Sequence, residues 1–286
     1  MDRIGIDKKI APQIPMITTC HGTCLRQHIL CPGISSTIIA GFQTIEKIIA
    51  LRRAQKKEIV KTLNVQSSGI SVISGGYNPE QFFYLPKTKN TTIALLFAGK
   101  ICQAKGVPWL LKSLIRLKNL NFRLHMAGSG SETEKRQCLS LASKLKNKCV
   151  YHGPLSHEDL SKLMQQCHIF VLPSFFEGVP LVLTEALACG CRIVTTSPPG
   201  VKELLGPEKN DMVKMLKLPP LKTIDAPHPE DESMLEESLT NVLDQTINKV
   251  IVNPVPDLEF VRTRSAGHTW EKIFSKIHHL YLQQCR

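Results

Sequence analysis

Pro173-Ser174-Phe175-Phe176-Glu177-Gly178-Val179-Pro180-Leu181-Val182-Leu183-Thr184-Glu185-Ala186-Leu187-Ala188-Cys189-Gly190 is the stretch on which the reading of this chain turns. It follows an apolar run at 168–172 that reads as a strand stopped by Pro173, and it leads into a helix over about 181–189 that ends at Gly190, a natural C-terminal cap. The strand end delivers Glu177, Gly178 lets a ligand approach the backbone, and the helix start presents unpaired N–H groups, an anion site. Glu185 lies one turn into that helix. Spacing alone leaves two ordinary surface glutamates as an equal reading, because a glutamate in an early helical turn meets the helix dipole favourably.

Working outward, short apolar runs alternate with helical spacing from 91 to 218. Strands are predicted at 92–98, 122–127, 149–152, 168–172, 192–196 and 212–218. Helices are predicted around Trp109–Leu117, over 132–145, and after Ser156, where Asp159 three positions on fits a helix start. Alternation of this kind means right-handed crossovers and a parallel sheet covered on both faces. In such sheets ligands bind beyond the carboxyl ends of the strands. Beyond 218 two amphipathic helices follow, one from Met234 to Ile247 and one over 269–284. The first 87 residues are less regular: strands at 16–19, 36–40 and 70–73, helices at 44–51 and 54–63. That is about half of an α/β domain. The expected organisation is a partial N-terminal, acceptor-side domain at 1–87, a complete Rossmann-like domain at 88–264, and a C-terminal helix at 265–286 crossing back to the N-terminal part.

A hydrophobic fraction of 42% supports globular cores, and no apolar run approaches the roughly 20 residues that span a bilayer. Residues 1–11 mix charges with isolated apolar residues, unlike a signal peptide, so the chain is read as cytoplasmic. Lys and Arg number 36 against 24 Asp and Glu, a net +12 that favours polyanions: nucleic acid, acidic lipid headgroups or phosphorylated substrates. The ten cysteines read as reduced thiols. Cys20, His21, Cys24, His28 and Cys31 are dense enough to raise a zinc site, but they lack the second, distant ligand pair that such sites use.

Glu185 has the chemistry to accept both hydroxyls of a ribose diol, and Glu177 to address a hexose. With Ala186-Leu187-Ala188, Gly190 and the strand at 192–196, the segment resembles the E-x7-E signature of group 1 glycosyltransferases (family 4, GT-B fold, retaining). Upstream, Phe97-Ala98-Gly99-Lys100 and Lys105-Gly106 resemble that family's G-R…K-G element, with Lys100 where arginine is more usual. Ala127-Gly128-Ser129-Gly130 resembles its G-x-G turn; as a dinucleotide fingerprint it fails, because Thr133 stands in place of the third glycine. Tyr151-His152-Gly153, Thr19-Cys20-His21-Gly22, Ser74-Gly75-Gly76-Tyr77-Asn78 and the Trp270–Tyr281 helix are further matches.

The resemblance implies a nucleoside-diphosphate sugar as donor substrate, with no metal and no other cofactor; no Asp-x-Asp motif is present. It implies that His21 and Glu177 are the catalytic residues. Donor binding falls to Gly99, Lys100, Lys105, Gly128, Gly130, Gly178, Val179, Pro180, Leu181 and Glu185. The expected function is retaining transfer of a hexosyl group to an acceptor hydroxyl on a sugar, glycan or lipid-linked molecule. Peripheral association with the inner face of a membrane and a completing subunit for the shortened N-terminal domain are expected alongside. The rival readings are a catalytically inactive nucleotide-sugar-binding module or truncated subunit and, ranked below it, a zinc-stabilised nucleic-acid binder; nucleic acid is not an expected partner.

Overall fold

A computed structural model describes residues 14–22, 25, 31–87, 92–206, 211–223 and 225–284. The chain forms two compact units, one from residues 1–76 with 268–286 and one from 77–267.

In the first unit three parallel strands, β1 (Ile17–Cys20), β2 (Lys47–Ala50) and β3 (Ile70–Val72), lie in that order. Between them run α1 (Ser35–Gln43) and α2 (Arg53–Leu63). Successive strand residues point to opposite faces, and β2 shows the consequence. Ile48 joins Ile38, Phe42, Ile59 and Leu63 in one apolar cluster, while Ile49 joins Ile73 with Ile273 and Leu280 of the C-terminal helix (Trp270–Gln284) in another. Two expectations change places here. The run 36–40, read as a strand, lies in α1, because Ile38 and Phe42 recur at helical spacing and are both buried. The run 44–51, read as a helix, contains β2. As the central strand it is covered on both faces, so its apolar residues are continuous and do not alternate.

The second unit is a six-stranded parallel sheet in the order β6-β5-β4-β7-β8-β9. The strands are β4 (Ile93–Ala98), β5 (Phe122–Ala127), β6 (Cys149–Gly153), β7 (Ile169–Leu172), β8 (Arg192–Thr196) and β9 (Val213–Leu216). Helices α3 (Val107–Arg116), α4 (Glu132–Ala142), α5 (His157–Gln166) and α6 (Leu181–Ala188) provide the first four crossovers. Ser156 caps α5 as expected, its hydroxyl accepting from the Asp159 N–H at 3.0 Å. Two short helices went unpredicted. In α7 (Pro199–Leu205) the Pro198-Pro199 pair starts a helix, since proline suits the first helical position. In α9 (Leu258–Ser265) Asp257 caps the Phe260 N–H at 2.9 Å. Between them the long α8 (Glu232–Val252) buries Leu235, Leu239, Leu243, Ile247 and Val250 along one stripe.

The strand order fixes where a ligand can sit. From β4 the chain winds outward through β5 to β6, then returns to place β7 on the other side of β4. The loops leaving β4 and β7 therefore diverge, and a crevice opens beyond their carboxyl ends.

Candidate functional site

A cleft of about 390 Å³ occupies that position. Gly99 and Lys105 enter it from the loop after β4, Gly128 from the loop after β5, and Glu177 and Pro180 from the loop after β7; Leu181 and Glu185 come from α6. Of the other donor-site candidates, Lys100, Gly130, Gly178 and Val179 do not line it. His21 belongs to the first unit, where it is exposed immediately after β1.

The loops are drawn together by backbone contacts that leave no room for a Cβ. The Gly99 N–H donates to the Ala127 carbonyl at 3.0 Å, the Ile101 N–H to Ser129 at 2.8 Å, and the Gly128 N–H to Gly153 at 2.8 Å. The Tyr151 hydroxyl donates to the Gly128 carbonyl at 3.0 Å. Gly128 has φ +129°, and a Cβ there would stand 1.9 Å from the Gly99 oxygen. Gly130 is packed against the Ile101 carbonyl in the same way, its Cβ position 2.2 Å from that oxygen. The G-x-G turn thus works by close backbone approach between neighbouring loops. Gly106, with φ +68°, does the equivalent against Pro173, whose oxygen lies 2.1 Å from its Cβ position.

That last approach sets the electrostatics. With the Lys105–Gly106 loop against the chain leaving β7, Lys105 Nζ donates to Glu177 Oε1 at 2.8 Å. Glu177 is 9% exposed and Lys105 27%. A charged pair held at the mouth of a cleft gives the lysine an anionic partner that a phosphate can replace. Pro180, before α6, offers no side-chain acceptor, and the first turn of α6 carries no acid, so its leading N–H groups are uncapped by side chains. Glu185 is buried. Burial holds its carboxyl above the usual carboxylate range, with His157 pulling it the other way.

Sequence reasoning left out the wall contributed by Pro154, Leu155, His157 and Leu160, which follow β6 and open α5. The cap signal at Ser156 located that helix start, but nothing in the one-dimensional pattern places it beside Glu185. Of the cysteine–histidine cluster, Cys24 and His28 lie outside the described residues, Cys20 is buried and Cys31 exposed. Among the described residues no three His, Cys, Asp or Glu side chains are gathered as a metal site.

Residues 80–214 match the family model described as glycosyl transferases group 1. The chain is 24% identical over 228 residues to an uncharacterized glycosyltransferase of Methanocaldococcus jannaschii, covering 72% of this chain and 58% of that one. It is 33% identical over 162 residues to the N,N'-diacetylbacillosaminyl-diphospho-undecaprenol alpha-1,3-N-acetylgalactosaminyltransferase of Campylobacter jejuni, covering 52% and 42%. The chain thus spans about half the length of these curated relatives. Among solved structures, Anabaena HepE in complex with UDP and glucose superposes with a TM-score of 0.68 at 16% identity, covering 97% of this chain and 74% of that one. At that identity the likeness concerns the fold, and the fold is the GT-B type expected from the sequence.

Proposed function

Residues 80–214 match the group 1 glycosyl transferases, and from that premise we propose that the chain transfers a hexosyl group from a nucleoside-diphosphate sugar to an acceptor hydroxyl with retained anomeric configuration. The observation that carries this reading is the convergence of Lys105, Glu177, Glu185 and the start of α6 on one cleft at the switch point of the sheet. A diphosphate has three ingredients of recognition there: the Lys105 ammonium, the uncapped N–H groups of α6, and glycine backbone at Gly99 and Gly128 that it can approach closely. As negative charge grows on the leaving diphosphate, these donors stabilise it more than they stabilise the bound ground state, which is the condition for acceleration. Glu185 receives the ribose diol and Glu177 the donor sugar. Lys100, Gly130, Gly178 and Val179 keep their assignment to donor binding, and His21 its contact with the sugar, by resemblance to the family. Metal independence carries over on the same ground.

The HepE structure holds UDP and glucose, and the Campylobacter relative is named for a polyprenyl-diphosphate-linked acceptor. These support a nucleotide sugar as donor and a glycan or lipid-linked acceptor, with peripheral attachment to a membrane. A second reading has a specific motive. The first unit holds three strands among its described residues, and the relatives are longer. The chain would then be a nucleotide-sugar-binding module that awaits a completing polypeptide for transfer.

Thermal unfolding with UDP, GDP and ADP tests the donor site. Ligand at about 100 times its dissociation constant should add roughly 2.7 kcal/mol, and Glu185→Ala should abolish that gain. A nucleotide that stabilises the chain without transfer from its sugar conjugate supports the module; a retained glycoside supports the enzyme. No stabilisation by any of the three sinks both readings.

A further inference from the structure

The buried stripe of α2 is Gln55, Ile59 and Leu63, one residue per turn. Ile59 and Leu63 belong to an apolar core, and Gln55, 4% exposed, brings an amide onto that same face. Burying an amide costs free energy unless its polar ends are bonded, and here both are. Gln55 Oε1 accepts the Leu51 N–H at 2.7 Å, and Nε2 donates to the Cys20 carbonyl at 2.8 Å.

The two ends serve different purposes. The acceptor end is a helix cap: Gln55 is the third residue of α2, the place from which a glutamate or glutamine reaches back to an N–H ahead of the helix. A glutamate would serve there equally well. The donor end has no part in the cap. It crosses to the last residue of β1, and with Leu51 directly after β2 it ties the carboxyl ends of the two strands together. The Cys20 carbonyl shares a rigid peptide plane with the His21 N–H, so a bond to that oxygen orients the backbone from which the His21 side chain departs. Gly22 follows at φ +92°, and a Cβ there would stand 3.7 Å from the same Nε2. The amide thus lies alongside the turn that carries His21.

We propose that Gln55 is a positioning residue for His21: its amide N–H holds the Cys20–His21 peptide in one orientation, so that the exposed imidazole is presented from a fixed backbone. The proposal rests on the reading that His21 meets the donor sugar. Gln55 itself is buried and acts only through His21.

Gln55→Glu separates the two ends, because it keeps the cap and loses the donor. In nitrogen relaxation measurements the His21 amide order parameter should fall from about 0.85 to below about 0.6, while the amides of β2 and α2 keep theirs. In a transfer assay kcat should fall at least about tenfold with the donor KM unchanged, since the donor cleft is lined by residues of the second unit. Gln55→Met, similar in size with neither donor nor acceptor on an amide, should match it in both the His21 amide and kcat, and serves where the buried carboxylate prevents folding. An unchanged His21 order parameter, a loss of order spread evenly over β2 and α2, or an unchanged kcat would each overturn the proposal. The relaxation measurement needs no turnover, so it decides the positioning even where the unaltered chain transfers nothing, a result that refutes the transfer reading alone.

Discussion

Glu185 sits in a conflict that its neighbours do not resolve. Burial raises its carboxyl pKa in the folded chain, so the native state holds its proton to higher pH than the unfolded chain does. The sign follows: this group's contribution to stability declines as pH rises from the ordinary carboxylate range through the raised folded value. At neutral pH the buried carboxylate is a cost. Glu185→Gln is therefore expected to raise the urea midpoint at pH 7 while removing stabilisation by nucleotide, since an amide accepts from a diol less strongly than a carboxylate. A variant that lost stability instead would show that the carboxylate is better compensated than its burial implies. A paired test separates the glycines. Gly128→Ala forces a Cβ against the Gly99 oxygen at positive φ and should cost more than about 2 kcal/mol. Gly178→Ala meets nothing within 4 Å and should stay within about 0.5 kcal/mol. Both glycines were read as donor-binding from their motif positions. The motif could not say which of them is required by packing, because that depends on a neighbouring loop distant in sequence.

At the scale of elements, His168 joins two strands. It stands just before β7, and its Nδ1 accepts the Ala94 N–H of β4 at 3.2 Å, which requires a neutral ring nitrogen. Burial first, then the positive charges of Lys87 and Arg192, lower its pKa from 6.5 to about 4. The unfolded chain thus takes up the proton first, and the stability held above about pH 6.5 is lost as pH falls toward 4. A loss of up to about 3 kcal/mol over that window is expected, and His168→Asn should flatten it. Equal pH slopes for both chains in urea unfolding would refute the assignment. The elements themselves were legible where pattern and environment agree, as in β4, β5, β8 and α8. They were misread at 36–51, because a β-branched helix and a doubly covered strand each show the other's local signature.

Charge is a property of the whole molecule. Residues 1–76 and 268–286 hold 13 of the 36 Lys and Arg and 5 of the 24 Asp and Glu, hence +8 of the net +12, in about a third of the chain. If the acceptor is lipid-linked, that unit is the one to meet an anionic surface, where each nearby cation is worth about 1 kcal/mol and screening acts within about 10 Å at 0.1 M salt. Co-sedimentation with vesicles containing anionic lipid is expected, declining steeply with salt, and none with zwitterionic vesicles. Salt-independent binding to both would point to apolar contact instead.

The sequence alone was enough for the parallel α/β architecture of the larger unit, the loop and helix that carry Glu177 and Glu185, and the family resemblance, because each is written in contiguous residues whose period and spacing reflect local backbone geometry. Only the tertiary structure decided that Lys105 pairs with Glu177, that His157 and Leu155 wall the cleft, and that Gly130 serves packing between loops. Those facts depend on which strand lies beside which. In a parallel sheet that order is set by long crossovers and by burial across the whole unit, at separations where periodicity carries no information.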